Sequence, residues 1–111
     1  MFREFLVKLC RALGHRVIAE TDSGREAIEL ARTLRPEVLL LDLRLPDLDG
    51  ADVAETLRIE APLIKILALS AYSDDFVFQR LERCGVQGFV DKRCQSLHML
   101  DEALGALAGG R

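Results

Sequence analysis

The sequence has no tryptophan, one tyrosine, three prolines, three cysteines and two histidines in 111 residues. Cys10, Cys84 and Cys94 are odd in number and lack Cys-x-x-Cys spacing, so neither a disulfide framework nor a zinc site follows. They read as small core residues of a protein kept reduced, with the cytoplasm as the natural setting. No apolar run approaches the roughly 20 residues of a membrane span. The apolar residues of Met1 to Val17 are interrupted by Arg3, Glu4, Lys8 and Arg11, which excludes a signal-peptide core. A net charge of −3 and a pI near 5.4 give no general attraction to nucleic acid or acidic membranes. His15, in a turn beside Gly14, and His98, on a helix with no second ligand at metal spacing, read as surface residues. What remains is one domain, half apolar by composition, able to build a core without staples.

The stretch with most to say is Val38 to Gly50. Its run Val38-Leu39-Leu40-Leu41 reads as a strand buried on both faces, suited to the centre of a parallel sheet. Asp42 ends that run, and Pro46 and Gly50 mark a loop before the next helix. Asp42 is thereby expected at the C-terminal end of its strand, the edge where open α/β sheets bind ligands. A carboxylate held there can merely cap a strand, or can act as a nucleophile towards a phosphoryl group.

The other elements are read from periodicity and punctuation. Phe2, Phe5, Leu6, Leu9, Cys10 and Leu13 fall on one helical face, and Gly14 ends that helix. Arg16 to Glu20 reads as a short strand. Asp22 or Ser23 caps a second helix with Ala27, Ile28, Ala31 and Leu34 inward, and Pro36 stops it. A third helix over Ala51 to Ile59 turns Val53, Ala54 and Leu57 inward. Lys65 to Ser70 is a strand, and a helix follows from about Ser73 or Asp74 to Cys84, closed by Gly85. Gln87 to Asp91 is the last strand, followed at once by Lys92. Ser96 caps a final helix carrying Leu97, Leu100, Ala103, Leu104 and Leu107. Such alternation implies parallel strands with right-handed crossovers.

If those strands are adjacent, Asp42, Ser70 and Lys92 share one edge. A carboxylate nucleophile, a hydroxyl donor and an ammonium point charge suit phosphoryl transfer. The stretches around Asp42 (LLLDLRLPDLDG), Ser70 (ILALSAY) and Lys92 (GVQGFVDK) together resemble the receiver domains of bacterial two-component response regulators, most closely the NarL-like subclass. The resemblance implies a CheY-like, flavodoxin-like doubly wound α/β fold over residues 1–111 as a single receiver domain, not an enzyme. It implies that Asp42 is the phosphoacceptor, Ser70 the switch hydroxyl, Phe89 the switch aromatic and Lys92 the phosphoryl-contacting lysine. It also implies Mg²⁺, held by Asp42 and the backbone carbonyl of Arg44. A histidine kinase is the implied partner, and a face over roughly Asp74 to Ala108 would bind a partner or a second copy. Direct binding of nucleic acid or membrane by this chain is not expected.

One departure is plain. Receivers open on a strand ending in two acidic residues that hold Mg²⁺; here Met1 falls at the first helix, and the first β-strand and its acidic pair are absent. A shortened receiver is the expectation, with a metal-independent pseudo-receiver acting as an interaction module as the alternative. Either way Mg²⁺ binding is expected to be weak or absent. Asp47, Asp49, Asp74 and Asp75 are read as capping or solubilising residues, not metal ligands. A haloacid-dehalogenase-type phosphatase is disfavoured, because Arg44 stands where its second aspartate would be. The resemblance places the missing strand between Arg16–Glu20 and Val38–Asp42. The gap is expected to close by sliding, to be filled by a second chain, or to leave the fold weak.

Overall fold

A computed structural model of the chain describes residues 2–42, 45–70 and 75–91, together with 102, 104 and 105. The elements are α1 (Phe2–Ala12), α2 (Gly24–Leu34), β1 (Val38–Asp42), α3 (Gly50–Glu60), β2 (Lys65–Ser70), α4 (Asp75–Arg83) and β3 (Gly88–Asp91). The described strands form one parallel sheet in the order β1-β2-β3. Residues 102, 104 and 105 are helical; the rest of the expected last helix, with Cys94, Ser96 and His98, lies outside the described residues.

Helix ends follow from local chemistry. Gly14 adopts φ +89, its N–H donates to the Arg11 carbonyl, and the His15 N–H reaches back to Cys10. This paired bond pattern stops α1, and the left-handed residue it needs is the glycine. The same arrangement closes α4, with Gly85 at φ +87 and the Val86 N–H on the Leu81 carbonyl. At the end of α2 the left-handed position is filled by Arg35, at φ 48. A side chain with a Cβ is strained there, and Pro36 blocks any helical continuation.

Side chains alternate across the sheet with the period of two that a strand imposes. Leu41, Ile66 and Ala68 pack with Val53, Ala54 and Leu57 of α3 and Leu81 of α4. On the opposite face Leu67 packs with Cys10 of α1 and Leu104, joined by the half-buried Val38, Leu40 and Val90. The result is a sheet between two helical layers, as expected of a doubly wound fold. The inward trio Val53, Ala54 and Leu57 is fully buried.

Three expectations are corrected. Arg16–Glu20 forms no strand, and among the described residues no backbone hydrogen bond joins it to another segment. The Val38–Asp42 strand is not central; among the described residues it is the sheet's edge, and β2 holds the middle. Burial shows the difference: in β1 only Leu41 is fully buried, whereas Ile66 to Leu69 all are. Leu34, expected inward, is 43% exposed. All three corrections concern residues that border one cavity. Between Arg16–Glu20 and β1 lies a cavity of about 610 Å³, lined by Val17, Ile18, Leu34, Leu39 and Leu40 among others. Among the described residues, the segment has not slid across to pair with β1.

The Arg35 strain gives a direct expectation. Arg35→Gly relieves roughly 1–2 kcal/mol of left-handed strain and gives back about half of that in chain entropy. Chemical denaturation should therefore show the variant more stable by about 0.5–1 kcal/mol; a less stable variant would mean that the Arg35 side chain holds the α2–β1 turn.

Candidate functional site

The sheet places the predicted residues on one edge. Asp42 is the last residue of β1 and aligns with Leu69 of β2. Ser70 follows as the last residue of β2 and aligns with Asp91, the last of β3. Three adjacent parallel strands thus end together, and with strands about 4.8 Å apart their ends span roughly 10 Å. Asp42 is half-buried. Lys92 and Arg44 lie outside the described residues, as does the Ser70 side chain. Phe89 aligns with Ala68 and packs, half-buried, against the core on the α3 side of the sheet.

The loop after Asp42 is anchored by its acids. Asp47 accepts the Gly24 N–H at 2.7 Å, the Arg25 N–H at 3.1 Å and the Ser23 hydroxyl at 2.8 Å. It therefore caps α2 from a distant loop, meeting the partly positive N-terminus of that helix. Ser23 is the N-cap within the chain, its hydroxyl accepting from the Glu26 N–H. Asp49 caps α3 by accepting the Ala51 N–H at 3.1 Å. Gly24 makes the close approach possible: a Cβ there would stand 2.9 Å from the Leu48 Cβ and 3.1 Å from Val53 Cγ2. The reading of Asp47 and Asp49 as capping acids agrees with this geometry. That Asp47 serves α2 has no local signal, because its partners lie more than twenty residues upstream.

These bonds bear on metal binding. Mg²⁺ requires near-octahedral oxygen coordination, yet among the described residues no three His, Cys, Asp or Glu side chains converge on a point. Asp47 and Asp49, the nearest loop acids, are occupied by helix N–H groups. The described residues do not by themselves fit a Mg²⁺ site.

His15 departs from its reading as a surface residue. It is half-buried, it lines the cavity, and its Nε2 is buried without a hydrogen-bond partner. Cys10 and Cys84 are buried, as expected of small core residues. Burial pushes the Cys10 thiol pKa up.

The Asp47 clamp carries a pH signature. The Gly24 N–H foremost, then the Arg25 N–H and the Ser23 hydroxyl, hold its carboxyl down from 3.8 to about 2, against an opposing effect of desolvation smaller than that of Gly24. A depressed carboxylate stabilises the fold fully above the unfolded value and loses that contribution as pH falls through the folded one. Asp47→Asn should lower the thermal midpoint at neutral pH and flatten the loss of stability between about pH 4 and 2. Gly24→Ala should lower the midpoint at every pH, since it displaces Leu48 whatever the charge of Asp47. An unchanged acid limb in Asp47→Asn would show that the clamp contributes nothing.

Comparison with known proteins matches this architecture. The family model of the response regulator receiver domain matches residues 1–104. The response regulator protein VraR of Staphylococcus saprophyticus is 36% identical over 68% of this chain and 36% of its own. The response regulator GacA of Pseudomonas viridiflava is 31% identical over 88% of this chain and 46% of its own. The chain thus spans less than half the length of either relative. Among solved structures, the signal receiver domain of the response regulator NarL from Mycobacterium tuberculosis superposes with a TM-score of 0.91 at 32% identity. That superposition covers 99% of this chain and 89% of the other. The chain belongs to the response regulator receiver domain family, in its NarL/LuxR-type branch, and its place is in two-component phosphorelay signalling.

Proposed function

We propose that this chain accepts a phosphoryl group on Asp42 from a histidine kinase and converts that charge into a changed binding face. The observation that carries the reading is the convergence of Asp42, Ser70 and the strand preceding Lys92 on one sheet edge. A carboxylate oxygen of Asp42 attacks phosphorus, and the bond from phosphorus to the donor atom breaks, its electron pair leaving with the donor. Lys92 offsets the charge on the phosphoryl oxygens, and the Ser70 hydroxyl donates to them. Phe89 responds by turning further into the core, and the face from about Asp74 to Ala108 is reshaped for a partner or a second copy. The chain then works as a cytoplasmic switch, not as an enzyme on a separate substrate. Among the described residues no helix is long and apolar enough to cross a membrane.

A second reading rests on the absence of converging metal ligands among the described residues. In it the chain is a pseudo-receiver, binding partners without phosphorylation.

Intact-protein mass spectrometry after incubation with a small acyl phosphate separates them. The first reading expects one phosphoryl group on the chain and none on Asp42→Asn, which keeps the shape but removes the nucleophile. Equal uptake by both proteins overturns the assignment of Asp42. No uptake by either, across millimolar Mg²⁺, favours the pseudo-receiver.

A further inference from the structure

Helices α2, α3 and α4 cover one face of the sheet, with Ala31, Leu57 and Leu81 in a common core cluster. Each of α3 and α4 leaves one parallel strand and leads to the next, so both run from the carboxyl edge of the sheet to its far side. They are fastened unevenly. α2 is bonded at both ends to α3 or its leading loop. Asp47 holds it at the carboxyl edge, and at the far end Arg32 grips both oxygens of Glu60 at 2.6 and 2.8 Å.

α4 is pinned to α3 at the far end. Arg58 Nη1 donates to the Arg83 carbonyl at 2.8 Å, one of the terminal carbonyls that a helix leaves without a partner of its own. The stem of Arg58 lies over Gly85, where a Cβ would stand 2.9 Å from Arg58 Cδ. Leu81 and Cys84, at the same end of α4, are buried in the core.

Towards the carboxyl edge, the ties of α4 to α3 among the described residues are two ion pairs of one arginine. Arg80 Nη1 meets Asp49 Oδ2 at 3.3 Å, and Nη2 meets Asp52 Oδ1 at 3.5 Å. The two acids stand three residues apart at the start of α3, where like charges repel and a guanidinium between them offsets the repulsion. The acid end of the contact is fixed, because Asp49 also accepts the Ala51 N–H through Oδ1 and is the N-cap of α3. The movable part is therefore the arginine and the helix that carries it.

The two ties differ in strength. The side chains of Arg80, Asp49 and Asp52 are 47%, 52% and 55% exposed. At such exposure salt screens the attraction, and an ion pair shifts an equilibrium by no more than about fivefold. Breaking the pin would instead strand a helix-terminal carbonyl and part the buried packing around Leu81 and Cys84.

We propose that Arg80 is a salt-sensitive latch: it holds the carboxyl-edge half of α4 against α3, and when it releases, α4 swings outward about its Arg58–Arg83 end. The latch sets how often this side of α3 is open to a partner, and it does not depend on phosphorylation of Asp42.

Pulsed electron paramagnetic resonance on pairs of nitroxide labels reads the motion in the full chain. One pair joins Asp75→Cys, at the start of α4, to Glu55→Cys on α3; the other joins Glu82→Cys, near the pin, to the same Glu55→Cys. Glu55 and Glu82 are exposed. Every protein carries Cys94→Ser, and Cys10 and Cys84 are buried. At about 0.01 M salt, Arg80→Gln should raise the long-distance fraction of the Asp75–Glu55 pair roughly two- to fivefold. The parent should reach a similar fraction at about 1 M salt, where the screening length is about 3 Å. The Glu82–Glu55 distances should change in neither case. Arg80→Lys, which keeps the charge, should stay closer to the parent than to Arg80→Gln. Thermal melts confirm that each variant is folded. Equal distributions in the parent and Arg80→Gln overturn the latch, and lengthening of both pairs together overturns the pivot. Arg80→Lys indistinguishable from Arg80→Gln would show that charge is not what holds α4, and likewise overturns the proposal.

Discussion

The carboxyl edge of this parallel sheet depends on β2, the described strand gripped on both faces and on both sides. Leu67 is fully buried against α1 and Leu104, while Ile66 and Ala68 are buried against α3 and α4. Its neighbours β1 and β3 fall into fixed register on either side, from Val38 opposite Lys65 to Ser70 opposite Asp91. Even the residue before β3 contributes, since Gln87 exchanges bonds with Ile66 through its own N–H and its side-chain oxygen. A slip of one residue would turn every apolar side chain to the wrong layer. Registry is what brings the ends of three strands to one edge, and hence Asp42 near Ser70.

The loop beyond that edge depends on a second constraint, the unsatisfied N–H groups at the start of α2. Asp47 meets three hydrogen-bonding needs at once, and Gly24 lets Leu48 close to within contact distance. The loop is thereby tied to α2 as well as to α3, which Asp49 caps. These acids act structurally, while Asp42 and Asp91 end β1 and β3 on the same edge. The division explains how an edge rich in aspartate lacks a converging metal site among its described residues.

Much of this was legible in sequence where the cause is local. Gly14 and Gly85 announce helix ends because only a left-handed residue closes that bond pattern, and Lys65–Ser70 was readable to the residue. Asp42, at the end of an apolar run and before Pro46, was recognisable as an edge carboxylate. What failed was whatever depends on a neighbour. Arg16–Glu20 has the composition of a strand, but a strand exists by pairing, and no described segment pairs with it. Val38–Leu41 reads as a central strand because its apolar content suits one, yet it stands at the edge of the described sheet. Leu34 and His15 were misjudged beside the same cavity: one is 43% exposed, and the other lines it with a buried nitrogen lacking a partner. The Asp47–α2 bond was invisible because the sequence separation hides it.

The end of β1 and the two helices beside it are joined through one short loop. Asp42 ends β1, and the loop that follows is tied to α2 by Asp47, which accepts from Gly24, Arg25 and Ser23. The same loop is tied to α3 by Asp49, which accepts the Ala51 N–H, and to α4 by the ion pair of Asp49 with Arg80. These ties differ in kind. The helix N–H groups in α2 and α3 have no intrahelical partner, so releasing either aspartate would leave donors unsatisfied. The Arg80 pair is exposed at the surface and contributes little by comparison. A displacement of the loop must therefore break its bonds to α2 and α3 or carry those helix ends with it, whereas α4 can part from the loop at small cost. The asymmetry makes the α4 side the compliant side of this edge.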